Sequence, residues 1–316
     1  MMTRKMNPEI ALTKTNYDKT LVVLTGPTAV GKTELSLEIA GHLNAEIISA
    51  DARQFYRELV IGTAAPTPGQ LARVAHHLVG HLSIYDYYNV SVFEKQALEI
   101  AERLFQQSDF VVVTGGSGLY IDALCHGIDE LPESDPAIRA HVKDYYRQHG
   151  LDALRLWLKK TDPEFYEWVD LANPNRIMRA IEVYLATGKK FSELRTRQTA
   201  TRPFQIKKVI INRDRAELFG RINERVDQMV QQGLIEEALS FFRPRHLNAL
   251  NTVGYKELFA WLSGEWPLHT AIEKIKTHTR RYAKRQLTWF RRYDDAQWFH
   301  PGQQQQIIDF IKEAGK

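Results

Sequence analysis

The sequence predicts an α/β fold: a parallel sheet with helices on both faces, interrupted by an inserted all-helical domain. Residues 21–33 read as a buried strand, a glycine loop and the start of a helix. Strand-type and helical patterns then alternate as far as residue 126. Only helical patterns follow until strand character returns at 207–212. We therefore expect a core domain from 21–126 and 207–316, a helical insertion at 127–206 and a flexible tail at 1–20.

The first strand, loop and helix contain the most specific motif. An apolar run at 21–24 precedes the loop, and Leu35, Ile39 and Leu43 follow at helical spacing. The segment between them fits G-x-x-x-x-G-K-[ST], a P-loop. Its glycines let successive N–H groups face an anion at the positive end of the helix. The predicted sheet is therefore P-loop NTPase-like, and ATP binding is suggested by the motif alone. The residues predicted to bind a diphosphate or nucleotide are Gly26, Pro27, Thr28, Ala29, Val30, Gly31, Lys32 and Thr33.

Two side chains of the P-loop can bind the ligand or its metal ion. Lys32 can reach the outer phosphate, and the Thr33 hydroxyl can bind Mg²⁺. A strand, turn and helix without a ligand is the alternative, which the presence of both side chains in register disfavours.

The second predicted strand, 46–50, delivers Asp51 to its carboxyl end. Ligands of open α/β sheets bind outside the carboxyl ends of the strands, so Asp51 should face the same crevice as the P-loop. Asp51 is either a general base or metal ligand, or a cap of the next helix; position alone favours neither.

The third predicted strand, 110–113, ends in Thr114 and two glycines. P-loop enzymes that hydrolyse ATP usually carry an acid for Mg²⁺ on such a strand. Its absence argues against a motor or a GTPase and leaves small-molecule kinases and diphosphate-releasing transferases. No other residues with the spacing of metal ligands lie near His76 and His77 in the sequence, so a neutral structural role is favoured for both.

The remaining segments read as helices at 92–107, 136–148, 151–160, 163–169, 175–187, 217–232 and 274–293. Arg176 and Arg179 share one helix face, which an ordinary solvated face also explains. Segment 274–293 holds eight Lys or Arg and no acid, interleaved with aromatic residues. This pattern favours RNA binding over a helix that uses its aromatics only for the core.

The composition of the chain indicates the cellular compartment in which the protein works. The chain has 316 residues, a net charge of +4 and one cysteine, Cys125. One thiol forms neither an internal disulfide nor a multi-cysteine zinc site, and we find no long apolar run or signal peptide. We expect a cytoplasmic protein that does not enter membranes.

Together, these motifs resemble those of the tRNA dimethylallyltransferases, also called tRNA isopentenyltransferases, over about 21–292. The resemblance rests on GPTAVGKT (26–33), DARQ (51–54), IGTAAP (61–66), TGGSGLY (114–120), NRIMRAIEVYLATGK (175–189), RINERVDQMVQQGL (221–234), NTVGYKEL (251–258) and TRRYAKRQLTWFRR (279–292). It implies transfer of a dimethylallyl group from dimethylallyl diphosphate to N6 of adenosine 37 in tRNA, with release of diphosphate.

The resemblance also implies residue roles. Asp51 would be the general base, Thr33 would hold Mg²⁺, and Arg225 would neutralise the leaving diphosphate; these three are the expected catalytic residues. The insertion would bind the anticodon stem-loop, and the protein would act as a monomer of the bacterial type, without a zinc finger. The residues expected at tRNA are Asp51, Ala52, Arg53, Gln54, Ser117, Arg139, Asn175, Arg176, Ile177, Met178, Arg179, Asn251, Thr252, Val253, Gly254, Tyr255 and Lys256.

Three positions depart from the family's common pattern: Ala52 replaces a serine, Ala65 replaces a lysine, and Ser117 replaces a threonine. Three alternatives are a prenyltransferase for free adenine nucleotides, a small-molecule kinase and an RNA-binding module without activity. The basic helix and the insertion argue against the first, a requirement for ATP turnover distinguishes the second, and the intact P-loop argues against the third.

Overall fold

The computed structural model describes residues 18–129, 131–133, 135–196 and 199–313. The chain folds into two compact units. One comprises the chain up to Leu124 together with the chain from Arg202 onward, and the other runs from Cys125 to Thr201. We refer to them as the sheet unit and the helical unit.

The sheet unit is built on six parallel strands in the order β3-β2-β4-β1-β5-β6. Their bounds are β1 Thr20–Thr25, β2 Ile47–Ser49, β3 His76–His77, β4 Phe110–Gly115, β5 Gln205–Ile211 and β6 Ala296–Phe299. Every residue of β1 is buried, since β4 and β5 flank it and helices cover both faces. This explains why the sequence of β1 is a continuous apolar run and not an alternating one.

The helices of this unit are α1 Lys32–Leu43, α2 Pro68–Arg73, α3 Val90–Phe105, α4 Gly118–His126, α9 Arg215–Gln231, α10 Leu234–Ser240, α11 Tyr255–Leu262, α12 Leu268–Phe290 and α13 Gln304–Lys312. A short 3₁₀ helix spans Asn248–Leu250. One hydrophobic cluster joins β1, α1 and α13, with Leu35, Ile39 and Ile311 among its buried members. A second cluster lies under α9–α12 around the fully buried Tyr255.

The helical unit contains α5 Pro136–Thr161, α6 Pro163–Trp168, α7 Pro174–Thr187 and α8 Phe191–Leu194. Gly150 has φ +77° inside α5 and divides it into two helical stretches, as the sequence predicts with helices at 136–148 and 151–160. The Asp162 side chain is buried, caps α6 at Phe165 N (3.0 Å), and also accepts hydrogen bonds from the Ser192 hydroxyl (2.7 Å) and N–H (2.8 Å). One carboxylate therefore ties α6 to α8.

Several sequence-based boundaries shift. Thr20, assigned to the tail, belongs to β1, and Lys19 pairs with Asp109 at 2.8 Å; residues 1–17 of that tail lie outside the described part. Residues 202–206, assigned to the insertion, belong to the sheet unit, where Arg202 pairs with Glu94 at 2.6 Å. The predictions missed β3 and β6 because two and four residues give too short a pattern. Within the described ranges, none of the helices combines the length and apolar character needed to span a membrane.

Candidate active site

The P-loop follows β1 and leads into α1. Gly31, the residue before α1, has φ +107°, a conformation that side chains disfavour. A Cβ on Gly26 would lie 2.3 Å from the Ile211 carbonyl oxygen at the end of β5, so the loop passes too close to that strand for any side chain. The motif glycines are therefore required by this backbone path as well as by an anion.

Two arginines from outside the motif hold the loop. Arg221 Nε donates to Ala29 O (3.0 Å), and Arg213 Nε donates to Val30 O (2.8 Å). Ala29 itself has φ +63°, which the Arg221 contact helps to maintain. These bonds use carbonyls of the loop and none of its N–H groups.

Lys32 lies at the base of this loop. Its ammonium donates to Gly26 O (2.9 Å) and Pro27 O (2.8 Å). Burial lowers the pKa of Lys32 to about 8; Asp51 partly opposes this shift and Arg225 adds to it. An anion bound here would restore the charged form, as expected of a phosphate-binding lysine.

Asp51 follows β2 and faces the same region. Its Oδ1 accepts the Arg53 N–H (3.1 Å), which closes a turn and caps no helix, since residues 52–55 form turns. Ala52 N–H donates to Ser117 Oγ (2.9 Å) after β4. The hydroxyl that this chain keeps at position 117 thus positions the backbone beside Asp51. Of the two sequence hypotheses, the helix cap is wrong.

Asp51 and the P-loop line a cavity region with two parts, which have lining residues in common. One part, about 700 Å³, is lined by Lys32, Thr33 and the 60–68 loop. The other, about 920 Å³, is lined by Ala52, Arg53, Ser117 and residues 251–254. Both parts are lined by Thr28, Asp51, Thr63, Arg225, Met229 and Tyr282. Asp51 and Arg225 therefore lie at the junction between the P-loop side and a larger chamber.

Arg225 reaches this junction from α9. Burial lowers the pKa of Arg225, Asp51 raises it and Arg221 lowers it further. Burial of the Tyr282 ring, with Asp51 nearby, raises the pKa of the Tyr282 phenol, which therefore stays protonated. With Thr28 and Thr63, the junction thus combines one carboxylate, one guanidinium group and three neutral hydroxyls.

Glu237 and Gln54 fix the 60–66 loop that lines the P-loop side. The Glu237 carboxylate accepts the N–H groups of Val60 (3.0 Å), Ile61 (2.8 Å) and Gly62 (2.8 Å). Gln54 Nε2 donates to Thr63 O (3.3 Å) and Ala64 O (3.0 Å). Gln54 was predicted to contact tRNA; it lines the P-loop side of the cavity, and its amide donates to this loop. Sequence analysis missed Glu237, since a single glutamate on a helix gives no signal.

The chamber side collects the predicted tRNA residues of the sheet unit, with corrections. Asn251 and Lys256 are exposed, and Thr252, Val253 and Gly254 line the chamber. The Tyr255 side chain is fully buried and its hydroxyl donates to Glu237 (2.7 Å), so it is not available to tRNA. Arg53 donates to Asn248 O (2.9 Å) and Ala249 O (3.2 Å), which anchors the 3₁₀ helix.

The helical unit carries the other predicted tRNA residues. Arg139, Asn175 and Arg176 are exposed there. Ile177 and Met178 are buried in the unit's own core, so their side chains cannot contact tRNA. Arg179 donates to Pro132 O (2.6 Å) and lies 3.6 Å from the Glu182 carboxylate. The solvated-face alternative therefore fails for Arg179, which has partners inside the unit.

The aromatic residues of the basic helix α12 fall into two groups, one in the core and one at the cavity or against a neighbouring helix. Phe290 and, just beyond the helix, Tyr293 are buried in the core, as the alternative interpretation holds. Tyr282 lines the cavity junction, and Trp289 packs on Gly118, where a Cβ would lie 2.2 Å from the indole. Arg281 and Arg285 line the chamber. The basic side chains and Tyr282 are thus placed to bind a polyanion, and the remaining aromatic side chains hold the helix in place.

A divalent metal would depend on hydroxyls and substrate oxygens. Among the described residues no group of three or more His, Cys, Asp or Glu could hold a metal. Thr33 lines the P-loop side, and the Thr114 hydroxyl, which lines the same side, is buried without a hydrogen-bond partner. Oxygen donors of this kind fit Mg²⁺, which keeps several waters and binds substrate phosphates, and do not fit Zn²⁺.

Comparison with known proteins places this geometry in a family. Residues 54–293 match the model of the IPP transferase family. The chain is 52% identical to tRNA dimethylallyltransferase 1 of Bacteroides fragilis over 94% of this chain and 99% of the relative. It is 53% identical to the protein of the same name from Phocaeicola vulgatus, over 92% and 97%.

Solved structures agree. The full-length tRNA isopentenylpyrophosphate transferase of Bacillus halodurans superposes with a TM-score of 0.69 at 33% identity, covering 93% of this chain and 95% of that one. A eukaryotic dimethylallyltransferase described as acting on tRNA gives 0.73 at 25% identity, covering 90% and 74%. The P-loop, the Asp51 junction and these matches together show that this chain belongs to the tRNA dimethylallyltransferase (IPP transferase) family.

Proposed function

We propose that this protein transfers a dimethylallyl group from dimethylallyl diphosphate to N6 of adenosine 37 in tRNA. The observation that carries the proposal is that Asp51 and Arg225 line both the P-loop side of the cavity and the larger chamber. The diphosphate side fits the donor, and the wider chamber fits an extruded base. The match to relatives named tRNA dimethylallyltransferase supports the choice of donor and acceptor.

In the proposed reaction the P-loop binds the diphosphate. N–H groups of the loop and the Lys32 ammonium contact its oxygens, which orients the prenyl C1 towards the junction. The adenine N6 forms the new C–N bond as the C1–O bond to diphosphate breaks. Asp51 accepts the proton released from N6, and Arg225 neutralises charge that develops on the leaving diphosphate.

Thr33 is the residue we propose as protein ligand for Mg²⁺. The ion would add positive charge at the diphosphate when bound. The Thr114 hydroxyl lines the same side and supports an oxygen-rich environment there. The absence of a Walker-type acid fits this chemistry, since no water or phosphoryl acceptor has to be activated.

The proposed partner is the anticodon stem-loop, engaged by a monomer. Exposed Lys256, Arg281 and Arg285 near the chamber support binding of its phosphates. Flipping adenosine out of its stack costs a few kcal/mol, which such contacts would offset. Exposed Arg139, Asn175 and Arg176 suggest that the helical unit also contacts the stem-loop.

The test is nucleoside mass spectrometry of a stem-loop with A37 after incubation with dimethylallyl diphosphate and Mg²⁺. We expect a mass gain of one dimethylallyl group on A37. An otherwise identical stem-loop with guanosine at this position, and free AMP, should stay unmodified. Modification of AMP at a similar rate would favour the free-nucleotide prenyltransferase, and consumption of ATP would favour the kinase.

Asp51→Ala tests the base. Its removal should reduce kcat by about 10²-fold or more, the usual contribution of a positioned base, while stem-loop binding is retained. Full activity in a folded Asp51→Ala protein would contradict the role of Asp51.

A further inference from the structure

Gln286 occupies a buried position on α12, and its side-chain amide is fully used. Thr28 N–H donates to Gln286 Oε1 (2.8 Å), and Gln286 Nε2 donates to Gly116 O (2.9 Å). The side chain is only 5% exposed. An amide side chain can accept from one backbone and donate to another at the same time, which an ionised carboxylate or an ammonium group cannot do.

The two backbones that Gln286 joins belong to opposite sides of the proposed reaction. Thr28 lies in the diphosphate loop. Gly116 directly precedes Ser117, whose Oγ accepts the N–H of Ala52, the neighbour of Asp51. Three hydrogen bonds in sequence therefore connect the diphosphate loop to the backbone beside Asp51.

The packing around Gly116 leaves little freedom to this connection. A Cβ on Gly116 would lie 2.3 Å from Gln286 Nε2 and 4.0 Å from Asp51 Oδ2. The amide and the carboxylate thus approach the same glycine. On the α12 side, the neighbouring turns bury Ala283 and Phe290 completely, which fixes the helix against the core.

We propose that Gln286 is a positioning residue that holds the diphosphate loop and the Asp51 loop at one separation. The proposal rests on the proposed function, because it assigns the leaving group to one loop and the proton acceptor to the other. Gln286 lines the diphosphate side of the cavity, but both of its amide atoms bond to backbone groups, so in this role it acts through the two loops. Its contribution is geometric, and a displacement of about 1 Å between reacting groups can cost about 10²-fold in rate.

The first variant is Gln286→Met, which keeps similar length and removes both hydrogen bonds. We expect kcat for stem-loop prenylation to fall by about tenfold or more, because the two loops lose their common register. Affinities for dimethylallyl diphosphate and for the stem-loop, each measured alone, should change by less than about threefold, since each loop still binds its own ligand. Gln305→Met on α13 is the matched control, since Gln305 is exposed and bonds only to Asp309 in the described contacts.

The second variant, Gln286→Glu, gives a readout that lost packing would not produce. Its carboxylate still accepts the Thr28 N–H, but its second oxygen faces the Gly116 carbonyl instead of donating to it. Protonation of the new carboxyl restores a donor at that position. The ratio of variant to wild-type kcat should therefore rise as the pH falls.

The outcomes separate the two proposals. If the wild-type protein transfers the prenyl group and Gln286→Met is as active as Gln305→Met, the positioning role is overturned. It is also overturned if the ratio of Gln286→Glu kcat to wild-type kcat does not change with pH. If Gln286→Met does not fold, the pH dependence of Gln286→Glu alone decides. Failure of the wild-type protein to prenylate the stem-loop would instead refute the proposed function.

Discussion

The Glu237 carboxylate clamps the 60–62 segment. It accepts three backbone N–H groups from this segment and the Tyr255 hydroxyl at 2.7 Å. Burial and the carboxylate raise the pKa of the Tyr255 phenol, so Tyr255 remains the donor. Glu237→Ala removes all four bonds together.

The cost follows from which groups remain buried. Val60 is 52% exposed, so its N–H can bond to water at little cost. The Ile61 and Gly62 N–H groups are partly buried and the Tyr255 side chain is fully buried. Each unsatisfied buried group costs about 1–3 kcal/mol, and water in the vacated space would satisfy part of this. We expect the free energy of unfolding to fall by about 2–5 kcal/mol.

The same substitution should weaken donor binding. Val60, Ile61 and Thr63 line the diphosphate side of the cavity, so releasing this segment should raise the KM for dimethylallyl diphosphate. Tyr255→Phe is the matched control, because it removes one of the four bonds and leaves the three N–H partners of Glu237 in place. It should cost about 1 kcal/mol and leave this KM nearly unchanged.

Urea denaturation and steady-state kinetics on the two variants check these values. A loss below about 1 kcal/mol in Glu237→Ala would show that water replaces the carboxylate, against our reasoning from burial. An equal rise in KM for Tyr255→Phe and Glu237→Ala would show that Tyr255 packing, and not the clamp on the 60–62 segment, controls donor binding.

Three further predictions concern charge and the helical unit. Because burial lowers the pKa of Lys32 to about 8, its charge is lost as the pH rises through 8, and affinity for a non-reacting donor analogue should fall up to about tenfold per pH unit above that. Calorimetry should show this slope in the wild-type protein and not in Lys32→Met; a flat wild-type profile from pH 7 to 9.5 would contradict it. Arg225→Gln should lower kcat by about 10²-fold, as loss of one preorganised charge at a leaving group does, and single-turnover assays with unchanged rates would argue against that role. Asp162→Ala removes three hydrogen bonds from a buried carboxylate and should lower stability by about 3 kcal/mol in chemical denaturation, whereas Asp152→Ala, which removes an exposed pair with Arg155, should have an effect near zero.

Much of the sheet unit could be predicted because its signals are local. The buried run of β1, the glycines of the P-loop and the periodicity of α1 lie within about two dozen neighbouring residues. The placement of Asp51 in the P-loop crevice also followed, since parallel strands present their carboxyl ends on one edge. From its position alone, Asp51 could also have been a helix cap, and the turn at 52–55 excludes that role.

Predictions about individual side chains were less successful. Motif membership placed Tyr255, Ile177 and Met178 at tRNA, and the structure buries all three. Gln54 and Arg53, expected at the substrate, line the cavity, but their side chains also bond to backbone carbonyls of the 63–64 and 248–251 segments. A motif records which residues occur together and does not separate those that touch a ligand from those that support the ones that do.

The sequence by itself determined the anion-binding loop, the sheet that presents it and the acid at the neighbouring strand end, because these depend on residues close together in the chain. Only the tertiary structure revealed that Gln286 meets Thr28 across 258 positions and that Glu237 reaches Val60 across 177. These hydrogen bonds form only when the helices pack against the sheet, and that packing depends on the whole core. No short segment of sequence carries this information, since the same glutamine or glutamate on another helix face would meet only water.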